Sequence, residues 1–280
     1  MSPLENIQRQ LNAFYESALA EAGFLPEHLE QLSLPHLLCI SQEYLDAPLK
    51  VMFVGKETNG WYGRLRDYYA GKATIADLLG RYRQQMDVTG GQGAFLKSLD
   101  HIALELAGGT RKSIVWANLM KMDWPRGRSD SRNSIDHSAQ LREFSCRVLR
   151  YEVDLLKPDV ILFGSGHGYD RAIKAAFPVR SDSLRLVPRA LWRFDIGGIA
   201  CFRLRHPQAR PVAGKFEPTL LYYERAIGLL KDRFAHRFTA NPSTNPPRDL
   251  LDGDTAGRHA SCDEGCGQHG HVEPAEPLTR

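Results

Sequence analysis

Three side chains suited to acid–base or hydrogen-bonding chemistry stand where short apolar runs give way to polar residues. The run 49–54 leads into Gly55-Lys56-Glu57-Thr58-Asn59, and the run 113–117 leads into Asn118. The run 159–163 ends in Gly164-Ser165-Gly166-His167, and the run 199–204 delivers His206-Pro207. A carboxylate such as Glu57 can orient water or face a developing positive charge. The Asn118 amide offers both a donor and an acceptor, and the His206 imidazole can hydrogen-bond or exchange a proton. Gly and Asn at such places are also ordinary turn residues. The joint placement of carboxylate, amide and imidazole is what argues for a site. A second cluster, Cys262, Cys266, His269 and His271, supplies four ligands of the zinc type. Its C-x3-C-x2-H-x-H spacing lacks the long spacer that gives a zinc finger a core, so adventitious metal binding by a tail is expected rather than a structural site.

The elements that must position these groups can be read from apolar spacing. Residues 1–48 read as a helical segment packing on the core: Ile7, Leu11, Phe14, Tyr15, Ala18 and Leu19 share one face, and Pro26 and Pro35 break the run. Strands are expected over 49–54, 113–117, 159–163, 190–196 and 199–204. Helices are expected over 64–86, 94–107, 137–156, 169–177 and 218–238. Alternating strands and helices predict an α/β domain over 49–240, three-layered, on a mainly parallel sheet of four to five strands. In such sheets ligands bind beyond the carboxyl ends of the strands. Residues 241–280, rich in Pro, Gly, Ser and Asp and without periodicity, read as a disordered acidic tail.

Bulk properties narrow the classes. The 280 residues are 42% hydrophobic and 25% charged, which excludes collagen-like, coiled-coil and wholly disordered chains. No run of about 18 uncharged apolar residues exists, so no membrane partner is expected. Glu5 in the first ten residues argues against a secretory signal, and five cysteines are no disulfide framework; a reducing cytoplasm is the expected compartment. The net charge of +3 is uneven, with −4 in residues 241–280. Residues 171–215 hold ten Lys or Arg against Asp182 and Asp195 alone. That stretch suits a polyanion, or is simply an Arg-rich solvated surface.

With these residues in place, the chain resembles the uracil-DNA glycosylase superfamily over roughly residues 48–235. The family loop of the type G-Q-D-P-Y-H or G-M-N-P-G corresponds to V-G-K-E-T-N-G-W, residues 54 to 61, which lacks the proline and tyrosine. The family's N-L-C-P is similar to N-L-M-K at 118 to 121, K-P-x-V-I-L-x-x-G to K-P-D-V-I-L-F-G at 157 to 164, and H-P-S-P-R to H-P-Q-A-R at 206 to 210.

The resemblance implies cleavage of an N-glycosidic bond in a base flipped out of DNA. Glu57 falls in the slot of the catalytic carboxylate or amide, facing the sugar cation. His206 matches the histidine that stabilises the departing base, and Asn118 the residue that reads its edge. Trp61, Tyr62 and Phe95 are stacking candidates. Arg210 falls where relatives wedge into the stack, and Arg203, Arg205 and Lys215 are candidate phosphate contacts. No lysine occupies a nucleophile slot, which implies a monofunctional enzyme using water. Cys39, Cys146 and Cys201 do not form the iron–sulfur pattern of some relatives, so no cofactor is expected. Asn59 stands where uracil-specific members place the tyrosine that blocks the pyrimidine 5-position. The implied substrate is therefore a 5-modified pyrimidine, such as hydroxymethylated or glycosylated cytosine of phage DNA, with an antiphage role and a monomeric protein. Two alternatives stay open: a repair glycosylase for uracil or other deaminated bases, and a non-catalytic DNA-binding module.

Overall fold

The computed structural model describes residues 1–88, 93–124, 138–210 and 216–239. The chain divides into a unit of Met1–Asn241 and a second of Pro242–Arg280, which lies outside the described residues, as do Lys215, the four Cys and His residues of the tail and its expected disorder.

Six strands form one mixed sheet. They are β1 (Val51–Gly55), β2 (Val115–Asn118), β3 (Val160–Phe163), β4 (Ser181–Val187), β5 (Leu191–Ile196) and β6 (Ile199–Leu204), in the order β2-β1-β3-β6-β5-β4. β2, β1, β3 and β6 run parallel, whereas β5 and β4 are antiparallel to their neighbours. Every residue of β1, β2 and β3 is buried, as expected of parallel strands covered on both faces.

The chain moves from β1 to β2 in one direction, then crosses back over β1 to β3. Right-handed crossovers therefore place the connecting helices on opposite faces. α6 (Ala94–Ala107) packs with α9 (Thr219–Arg233), while α7 (Ala139–Leu156) packs with α1 (Pro3–Ala20) and α8 (Asp170–Ala176). Reversal of strand order beside β1 makes its carboxyl end a switch point, where open α/β sheets form a crevice.

The helices start and stop where side-chain chemistry demands. α1 opens on a Ser2–Glu5 capping box, and its face of Leu11, Tyr15, Ala18 and Leu19 is buried. The shorter α2 (Pro26–Gln31) and α3 (Gln42–Asp46) follow it. The helix expected over 64–86 is instead two, α4 (Leu65–Tyr69) and α5 (Ile75–Asp87). Gly71 takes a left-handed φ of +71° between them, and Thr74 recaps the chain with Asp77. The last expected helix also divides, into α9 and α10 (Ala235–Thr239).

The sheet has one strand more than expected and a larger antiparallel share. The additional strand is β4, an edge strand whose first five residues are exposed. Its pairing with β5 contains two register shifts, and Asp182 within it has a φ of +48°. No helix among the described residues is long and apolar enough to cross a membrane.

Candidate functional site

The parallel register sets Gly55 of β1 beside Asn118 of β2. A Cβ at position 55 would lie 2.2 Å from Asn118 Oδ1 and 3.1 Å from the Phe95 ring, so only glycine lets these side chains close over the end of β1. Phe95, on the first turn of α6, also lies 5.2 Å from the Trp116 ring and 6.2 Å from the His206 ring, the latter pair inclined at 28°. Asn118, Phe95 and His206, which lie far apart in sequence, thus meet at the carboxyl ends of β1, β2 and β6.

The orientation of the Asn118 amide follows from its neighbour. An indole nitrogen can only donate, and Trp116 Nε1 donates to Asn118 Oδ1 at 3.2 Å. Nδ2 is left facing away from that bond, buried and without a hydrogen-bond partner among the described residues. A buried donor left unmatched costs about 1–3 kcal/mol, so such an atom points to a group that completes it.

The electrostatics of His206 are equally defined. Burial, with Lys56 nearby, pushes its imidazole down to about 4, so the ring is neutral at physiological pH. The Gln208 backbone N–H donates to Nδ1 at 3.2 Å, which assigns the hydrogen to Nε2 and makes that atom a donor.

The loop carrying Glu57 is anchored by a buried carboxylate. Asp123 accepts from the Thr58 hydroxyl, from Gly60 N at 3.0 Å and from Trp61 N at 3.4 Å. Its own backbone N–H donates to Ser33 Oγ at 3.0 Å, and Ser33 N–H returns a bond to the Asp123 carbonyl at 2.9 Å. The segment after α2 and the segment after β2 therefore clamp the loop from both sides. Glu57 is half-buried within it, and Asn59 is exposed.

In the core, Lys121 and Glu152 form a fully buried ion pair at 2.5 Å, and Tyr15 O–H donates to the same carboxylate at 2.9 Å. Burial pushes the Glu152 carboxyl up and the Lys121 amine down, while each charge opposes the shift of the other. The carbonyl of Lys121 accepts from His36 N at 2.6 Å.

Other candidates are placed differently from expectation. Trp61 is enclosed, 4.8 Å from the His36 ring and edge-on to Trp116, so it braces the site from behind instead of offering a stacking face. Tyr62 turns toward α5, where Gln85 donates to its hydroxyl at 2.7 Å and Arg81 lies over its ring. Arg203 is not a phosphate contact: it is fully buried and ion-paired with Asp170 at 2.8 Å. Arg205 is also mostly buried, over the Phe216 ring and donating to the Arg210 carbonyl at 2.8 Å. Arg210 is exposed.

Cys39, Cys146 and Cys201 are free, buried thiols, and no cluster of three or more His, Cys, Asp or Glu among the described residues is placed to hold a metal. Sequence reasoning missed Asp123, Ser33, His36 and Gln208. Asp123, five residues past Asn118, is the one that chain position could have suggested as a loop anchor; Ser33 and His36 carry no local signal. No protein-family model matches this chain, and no curated protein matches it.

Proposed function

We propose that the protein is a monofunctional DNA glycosylase that hydrolyses the N-glycosidic bond of a flipped, 5-modified pyrimidine and leaves an abasic site. The observation that carries this reading is the trio at the strand ends. An aromatic face (Phe95), a buried and unmatched amide donor (Asn118) and a neutral imidazole donor (His206) surround the end of β1. That set suits a flat, neutral heterocycle with hydrogen-bond acceptors on its edge. A neutral histidine can donate its Nε2 hydrogen to the negative charge that grows on a departing base. Glu57, half-buried on the adjoining loop, supplies the carboxylate for water and for the sugar cation.

The exposure of Asn59 supports room at the pyrimidine 5-position, as does Gly60, where a Cβ would meet nothing within 4 Å. Phage-type modified cytosines are therefore the favoured substrates and antiphage defence the favoured role.

The test is incubation with DNA panels carrying uracil, 5-hydroxymethylcytosine or its glucosylated form, with mass analysis of the released base. Wild-type protein is expected to release the substituted cytosine. Glu57→Gln is expected to bind the same DNA and to lose at least about 100-fold in rate. Near-normal release by that variant would remove Glu57 from catalysis, and absence of release from every panel by the wild type would defeat the reading.

A further inference from the structure

The β4–β5 connection is a turn in which Ala190 N–H bonds the Val187 carbonyl at 3.1 Å, with Pro188 and Arg189 at its centre. Pro188 suits the first central position. Arg189 occupies the second with a φ of +63°, the place where a type II turn takes Gly or Asn. A long side chain is thus held in a backbone conformation that disfavours it, the kind of local strain that accompanies functional positions.

Three contacts fix this residue. The buried Arg203 guanidinium donates to the Arg189 carbonyl at 2.9 Å and is itself paired with Asp170. The Arg189 side chain donates to His167 Nε2 through Nε at 3.2 Å and Nη2 at 2.9 Å. No carboxylate among the described residues pairs with it, so its charge is oriented but not neutralised. Three other arginines of this basic stretch are engaged elsewhere. Arg180 binds the Phe177 and Pro178 carbonyls, Arg185 pairs with Asp170, and Arg205 lies over Phe216.

The turn also stands at the right end of the sheet. Leu191, just after it, pairs with Leu204, two residues before His206. Gly166, next to His167, sits so that a Cβ would be 3.5 Å from His206 N. Arg189 and His206 therefore flank the same strand end, one exposed and one half-buried.

We propose that Arg189 is a DNA phosphate contact, held ready by Arg203, Asp170 and His167 at the rim of the candidate site. The proposal rests on the glycosylase reading for its partner. An exposed, un-neutralised guanidinium beside the strand ends fits a phosphodiester near the flipped nucleotide.

The test uses a short labelled duplex containing one modified base, titrated by fluorescence anisotropy across a salt series. Arg189→Gly is expected to bind several-fold more weakly, with a salt slope shallower by about 1, because one phosphate contact is lost. Its Tm should equal or exceed that of the wild type, since glycine accepts the turn. Arg189→Lys should keep the salt slope but not the full affinity, lacking the planar fork. Unchanged affinity and slope in Arg189→Gly would overturn the proposal. So would an Arg189-dependent thermal shift with inorganic phosphate but no effect on DNA, which would assign the residue to a small anion. Lost affinity in the variant, in a protein whose wild type releases no base, would keep the contact and defeat the glycosylase reading. Normal base release with unchanged DNA affinity would do the reverse.

Discussion

Single atoms decide the chemistry at the end of β1. Trp116 Nε1 commits Asn118 Oδ1 and thereby presents Nδ2 to whatever enters. Trp116→Phe removes the one side-chain donor to Oδ1 among the described residues, so the amide is free to rotate. Under the proposed activity, discrimination between pyrimidines should fall by about tenfold in kcat/KM, the net worth of one directed hydrogen bond at about 1 kcal/mol. Competition between two modified bases in one duplex measures it, and an unchanged ratio would show that Asn118 is oriented by other means. His206 gives a pH prediction. Its folded-state value of about 4 lies below the ordinary imidazole range, so the unfolded chain binds the proton more readily between them. Stability is full above the unfolded value and is lost as pH falls toward 4. Lys56→Met removes a nearby positive charge and should move the midpoint upward, as a histidine NMR titration would record.

At the scale of elements, the loop after β1 depends on a carboxylate borrowed from the loop after β2. Asp123→Ala strands the Thr58 hydroxyl and the amides of Gly60 and Trp61. Loss of about 3 kcal/mol is expected from unmatched buried donors to a charged acceptor. Urea melts should show it, with faster hydrogen exchange confined to those amides. Retained protection there would mean that Ser33 alone holds the loop. The strand ends were legible in sequence because fully apolar runs stopping at Gly or Asn have few other uses. Asn118 and His206 follow from such signals, Phe95 instead from the glycine-rich run at 90–93 before it, and the structure brings the three together. β4 was not legible, because an edge strand with exposed residues carries no buried alternation. Arg203 was misread because charge in a short run suggests surface. Its partner Asp170 lies 33 residues away, and no local pattern reveals that pairing.

At the scale of the molecule, the Lys121–Glu152 pair joins the segment after β2 to α7, with Tyr15 of α1 on the same carboxylate. Lys121→Met leaves a buried carboxylate uncompensated and should cost about 3–5 kcal/mol. The double change Lys121→Met with Glu152→Leu should recover most of that loss, and a double-mutant cycle by chemical denaturation would measure the coupling. Equal, additive losses would show that the two charges do not depend on each other. The irregular β4 has a different bearing on the whole protein. A regular strand at the border of a sheet offers a row of unused amides and carbonyls to any passing chain. Here the shifts in register and the left-handed Asp182 interrupt that row. Straightening β4 by design would convert a border that resists self-association into a template for it, and the protein would leave solution as aggregate before its stability changed.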